Sequence, residues 1–155
     1  MARAYGKLKK SRWREDAWLK LPADAQWLYV YLLSQPTTDT AGVFPIRLTK
    51  WPKGAADMSR ERVLAAAKTL NDSGWILVDH DFEEGLICNY IRDDEAGDNI
   101  FKGALNRAVL AQSSLIRRCL FEEIQSLDRT FNDREQQLIQ ELAESLGDLP
   151  SGGPW

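Results

Sequence analysis

A chain of 155 residues with 44% hydrophobic residues, six of them Trp, is long enough for one domain with an appendage and rich enough to close a core. Its net charge of −3 is unevenly spread: residues 1–20 carry a balance of +5, residues 21–119 of −2, and residues 120–155 of −6. No apolar run reaches the roughly 18 residues of a membrane helix, and the charged N-terminus lacks the apolar stretch of a secretory signal. Cys88 and Cys119 stand far apart and His80 is the single histidine, which leaves no CxxC motif and no zinc ligand set within the chain. Two reduced thiols in a cytosolic compartment are the expectation.

The first firm helix runs over 22–34, with Pro22 in its first turn, Asp24 at its positive end, and Trp27, Leu28, Tyr31 and Leu32 at helical spacing. Gln35-Pro36 stops it. Residues 41–46 are short, β-branched and aromatic, and Pro45 restricts them to a strand edge or end. A short helix is expected across Leu48–Trp51, broken near Pro52 and Gly54. Ser59 then offers an N-cap for a helix over 59–72, whose apolar face is Val63, Ala66, Ala67 and Leu70, with Gly74 suited to a left-handed stop. Residues 75–79 and 86–91 read as a hairpin around the acidic connection 80–85. Residues 93–98 form an acidic linker. Beyond it, apolar residues from Ile100 to Ile124 indicate one kinked helix or two, the first over 99–111. Residues 128–155 carry a weaker pattern and are expected to be an acidic, partly disordered tail ending in a mobile Pro/Gly segment. Trp13, Trp18, Trp27, Trp51 and Trp75 are assigned to the core.

Catalytic chemistry finds little purchase. The glycines are isolated, so no phosphate loop appears. His80 sits in an acidic loop with no nucleophile near it in sequence. Asp79, Asp81, Glu83 and Glu84 lack the spacing of a calcium loop and read as a charged hairpin tip. The chain is expected to be no enzyme and to need no cofactor or metal.

Helix, strand, helix, helix, hairpin is the order of a winged helix-turn-helix, which makes the expected fold class mainly α with a small antiparallel hairpin and a C-terminal helical extension. Ala25-Gln26-Trp27-Leu28-Tyr29-Val30-Tyr31-Leu32-Leu33-Ser34, Ala41-Gly42-Val43-Phe44 and Leu70-Asn71-Asp72-Ser73-Gly74-Trp75-Ile76 resemble the N-terminal domains of phage replication organisers and DnaD-type proteins. The likeness covers residues 13–94. More faintly, residues 98–127 resemble the helical extension of small winged-helix proteins of actinobacterial phages. The chain thus divides into a basic N-terminal arm (1–20), a winged-helix domain (21–94), a helical extension (98–127) and the acidic tail (128–155). The resemblance implies duplex-DNA binding in phage-type replication initiation or regulation, in a bacterial host cytoplasm and near the nucleoid.

A recognition helix presents its N-terminal residues to the major groove, and cationic arms track phosphates or enter the minor groove. The candidate DNA-binding residues are therefore Arg3, Lys7, Lys9, Lys10, Arg12 and Arg14 on the arm, as the chief source of affinity, and Ser59, Arg60, Arg62, Lys68 and Thr69 on the helix. A solvated helix face is the competing interpretation of the latter set. The acidic hairpin tip would be repelled by phosphate and should face away from DNA or toward a protein. Two rivals stay open: a transcriptional regulator using the same surface, and a protein-interaction winged helix, a phage factor aimed at a host or replication protein, using its acidic wing and tail. Homodimerisation through the C-terminal helices is a further expectation.

Overall fold

A computed structural model describes residues 4–147. The chain is mainly helical with a small three-stranded antiparallel sheet. After a 3-10 turn at Lys10–Arg14 come α1 (Asp16–Leu19) and α2 (Ala23–Leu33). The strand β1 (Val43–Pro45), a 3-10 turn at Trp51–Gly54 and α3 (Arg60–Asp72) follow. The hairpin β2 (Ile76–Asp79) and β3 (Glu84–Ile87) leads to α4 (Tyr90–Asp94), α5 (Asp98–Leu110), α6 (Ser114–Gln125) and α7 (Asp133–Glu144). No helix among the described residues is long and apolar enough to cross a membrane.

The sheet order is β1-β3-β2, with Val43 and Leu77 both opposite Leu86, and Ile76 opposite Ile87. Because successive strand residues point to opposite faces, the sheet separates two cores. Val43, Leu77 and Leu86 face the C-terminal helices, joining Phe101, Leu105, Ile116, Leu120, Ile124, Leu138 and Leu142. Phe44, Ile76 and Ile87 face the N-terminal helices, joining Trp18, Leu28, Leu32, Trp51, Val63 and Leu70. Strand β3 is thus buried on both sides.

The expected helices at 22–34, 59–72 and 99–111 are present within a residue or two, and Gly74 takes the left-handed conformation (φ 80°) that ends α3. Elsewhere the structure corrects the reading. The short helix is a 3-10 turn placed at Trp51–Gly54, where the sequence points to a break, because Pro52 lies in its first turn and its missing N–H costs nothing there. The second wing strand stops at Ile87. Asn89 turns left-handed (φ 62°) and α4 begins at Tyr90, so the supposed acidic linker is partly helix. The region 98–127 is two helices, separated where the Ser113 hydroxyl caps α6 by accepting the Ile116 N–H at 3.2 Å.

The supposed acidic tail contains α7, opened by a capping box in which Asn132 and Glu135 serve each other's backbone N–H groups at 2.8 and 3.0 Å. Leu138, Ile139 and Leu142 seal the C-terminal core. The closing segment from residue 148 on lies outside the described residues. The basic arm is no arm over residues 10–20, which carry the 3-10 turn and α1 and bury Arg12 and Trp18. Of the five Trp assigned to the core, Trp18 and Trp51 are buried and Trp27 and Trp75 half-buried. Trp13 is over half exposed, its ring edge against Trp18.

Candidate nucleic-acid interface

Helix α3 is held at its start by the Ser59 hydroxyl, which accepts the Arg62 N–H at 3.2 Å. Val63, Ala66 and Leu70 turn inward against α2. Arg60, Glu61, Leu64, Ala65 and Lys68 are exposed, while Thr69 is half-buried. The three cations of this helix have different fates. Arg62 donates from Nε and Nη2 to both oxygens of Asp24 at 2.9 and 2.7 Å, and from Nη1 to the Asp57 carbonyl at 2.7 Å. That fork pins α3 to the start of α2, and its hydrogen bonds hold the Asp24 carboxyl below its usual range. Lys68 pairs with Asp72 one turn on, at 2.6 Å. Arg60, at the first helical position, has no ion pair among the described residues.

Three further exposed cations lead into this helix. The Lys50 N–H donates to the Arg47 carbonyl and the Lys53 N–H to the Lys50 carbonyl, each at 3.0 Å. Side chains three positions apart eclipse in such a helix, so Lys50 and Lys53 fall on one side of the turn, with Arg47 at its entry. Trp51 anchors that turn, buried with its ring 5.9 Å from Phe44, and the turn packs on α3. All three cations are exposed with no ion pair among the described residues. The sequence reading passed over them because it sought cations only on the N-terminal arm and the 59–72 helix; their three-residue spacing around a Trp-Pro pair was the available signal.

The arm candidates fare otherwise. Lys7 donates to the Asp94 carbonyl at 3.0 Å, and Lys9 lies 3.5 Å from Glu95 and 3.9 Å from Asp93. Arg12 is bound to Glu15 at 2.9 Å and Asp93 at 3.1 Å, with its guanidinium 5.0 Å from the Trp75 ring and 5.8 Å from the Tyr29 ring. Burial pushes the Tyr29 hydroxyl up to about 12. Lys7, Lys9 and Arg12 therefore spend their charge on the acidic segment that the sequence presents as a linker. Lys10 and Arg14 remain exposed, and Arg3 lies outside the described residues.

The acidic hairpin also turns inward. Asp79 accepts the Ser113 hydroxyl at 2.6 Å, and Glu84 accepts the Gln112 and Ser113 N–H groups at 3.1 and 2.9 Å. Two of its four acids thus brace the start of α6, while Asp81 and Glu83 stay exposed with His80. No family model matches this chain, and neither a curated protein nor a solved structure matches it.

Proposed function

We propose that the chain binds duplex DNA through the surface formed by Arg47, Lys50, Lys53 and the N-terminal end of α3, with Arg60 leading into the major groove. The observation that carries this reading is a cluster: these four exposed cations lie on one turn and the helix it leads into and have no ion-pair partner among the described residues, whereas Lys7, Lys9, Arg12, Arg62 and Lys68 are ion-paired within the chain and the likewise unpaired Lys10 and Arg14 stand on a separate segment. Unpaired cations beside a helix N-terminus are what phosphates recruit, and a leading Arg suits a guanine edge. Glu61 and Asp57 on the same side limit how many phosphates the surface takes. The likeness to replication organisers makes control of replication initiation the proposed process.

The test is a salt-titrated anisotropy measurement on random duplex DNA. Replacing Lys50, Lys53 and Arg60 together by Ala should weaken binding and flatten the log–log salt slope by about 0.9 for each phosphate no longer neutralised, with melting temperature unchanged. A parental slope in the variant would overturn the assigned surface. Absence of binding by the parent at low salt would move the function to protein docking. Exposed Phe82 at the wing tip, with exposed Leu110 and Leu115 flanking the α6 start that the wing braces, is the observation favouring that alternative.

A further inference from the structure

Trp13 is the largest apolar side chain left exposed among the described residues, with 53% of its surface open. It sits on the 3-10 turn Lys10–Arg14, and that turn is firmly anchored. Arg12, one residue before it, is held by Glu15 and Asp93 and buried against Trp75 and Tyr29. The Trp13 ring meets buried Trp18 at 5.6 Å and 89°. A perpendicular contact covers one edge or one face of a ring, so with over half the residue open an indole face is left to solvent.

Residues three apart eclipse in a 3-10 turn, which sets Lys10 on the same side as Trp13, and Arg14 is the next residue in the chain. Both cations are exposed and neither has an ion pair among the described residues. The nearest acids in sequence are Glu15, which is taken by Arg12, and exposed Asp16. Trp18 lies 5.7 Å from Trp75, whose N–H donates to the Leu70 carbonyl at 2.9 Å just past the end of α3. The patch therefore belongs to the C-terminal end of α3. Arg60 opens the other end, about 18 Å away along the helix axis.

An open, rigid aromatic face beside two unpaired cations suits a polyanion that carries flat rings. Bases inside a duplex show only their edges, so the matching form is an unpaired strand. A lipid surface would meet the cations but offer the indole no flat partner. We propose that Trp13, Lys10 and Arg14 form a second nucleic-acid contact, for a single strand, in which one unpaired base stacks on the indole and the two cations take the flanking phosphates. The contact reads no sequence, because every base has a π face. It stands apart from the duplex surface and does not rest on it.

The experiment reads anisotropy of a labelled mixed-sequence single strand of about twelve nucleotides against the same strand with abasic sugars. The parent should prefer the base-bearing strand. Trp13→Ala should lower that affinity about five- to a hundredfold, leaving the abasic affinity and the salt slope unchanged, and Trp13→Phe should recover most of the loss. Lys10→Ala combined with Arg14→Ala should instead flatten the log–log salt slope, by about 0.7 for each phosphate on a single strand. The variant lacking Lys50, Lys53 and Arg60 should keep the base preference, which separates failure here from failure of the duplex surface. DNA and RNA versions of the strand show which of the two the site serves, and binding of either supports it. Equal affinity of the parent for the base-bearing and abasic strands would overturn the proposal. So would a base preference that survives in Trp13→Ala, or binding of the parent to phosphatidylserine vesicles and to neither strand. If Trp13→Ala does not fold, an unchanged salt slope in the Lys10→Ala, Arg14→Ala variant overturns it equally.

Discussion

Between residues 7 and 12, Lys7, Lys9 and Arg12 meet the acidic segment 93–95 at 3.0–3.5 Å. Between residues 47 and 60, Arg47, Lys50, Lys53 and Arg60 meet no carboxylate among the described residues. In sequence the first stretch is the denser in positive charge and looks the better ligand for a polyanion. In the fold its charge is largely consumed. The difference teaches that cation density measures an opportunity, and only the positions of the acids decide whether the protein or a ligand takes it.

The largest effect expected from breaking this contrast is at Arg12. Its side chain is 9% exposed, and removing it strands the Asp93 carboxylate and empties the space beside Trp75. Arg12→Ala should cost about 3 kcal/mol, the lower end for breaking a buried pair because Asp93 keeps some solvent. Urea denaturation reads it. A loss below about 1 kcal/mol would place the segment among surface ion pairs and restore it as a candidate DNA contact.

Next comes Glu123, an acid with no cation in hydrogen-bond contact, beneath the helix that receives Lys7 and Arg12. Burial pushes its carboxyl from 4.5 up to about 7. Between those values the folded protein holds a proton that the unfolded chain has released, so stability falls as pH rises through the window and is lowest above it. The full displacement corresponds to about 3 kcal/mol. Glu123→Gln keeps an oxygen for the Arg92 N–H while removing the charge. It should flatten the fall between pH 5 and 8 and leave the variant the more stable by about 2 kcal/mol at pH 8. Parallel pH profiles for parent and variant would show that Glu123 is not the group responsible.

The smallest of the three is Ser113, where the acidic wing meets α6. Its hydroxyl both caps the helix and donates to Asp79. Ser113→Ala should cost about 1–2 kcal/mol in thermal unfolding, from removal of the cap and an unsatisfied carboxylate. An unchanged melting temperature would mean that the wing does not brace the extension.

Elements with strong local signatures were legible: α2 and α3 from their apolar spacing, the end of α3 from Gly74, the hairpin from two β-type runs. What escaped was set by distant partners. Lys7, Lys9 and Arg12 find acids more than eighty positions away, and no local pattern announces such a pairing. Helix α7 was hidden by its polar outer face, although Asn132 and Glu135 spell a capping box. The candidate interface was half legible: Ser59 and Arg60 stand at the start of α3 as expected, Arg62 is taken by Asp24, and Arg47, Lys50 and Lys53 emerge only from the way the turn before α3 packs on that helix.

Strand β3 has a core on each face, Leu86 toward one and Ile87 toward the other, and this fixes where the chain can change length. A single residue inserted or deleted within β3 would exchange the two faces and offer each core the other's side chains, an error that neither neighbouring strand can absorb. Residues 80–83 at the wing tip are exposed and lie outside both ladders. Relatives of this protein should therefore differ in length at the tip, while the count of residues from Glu84 to Ile87 stays constant.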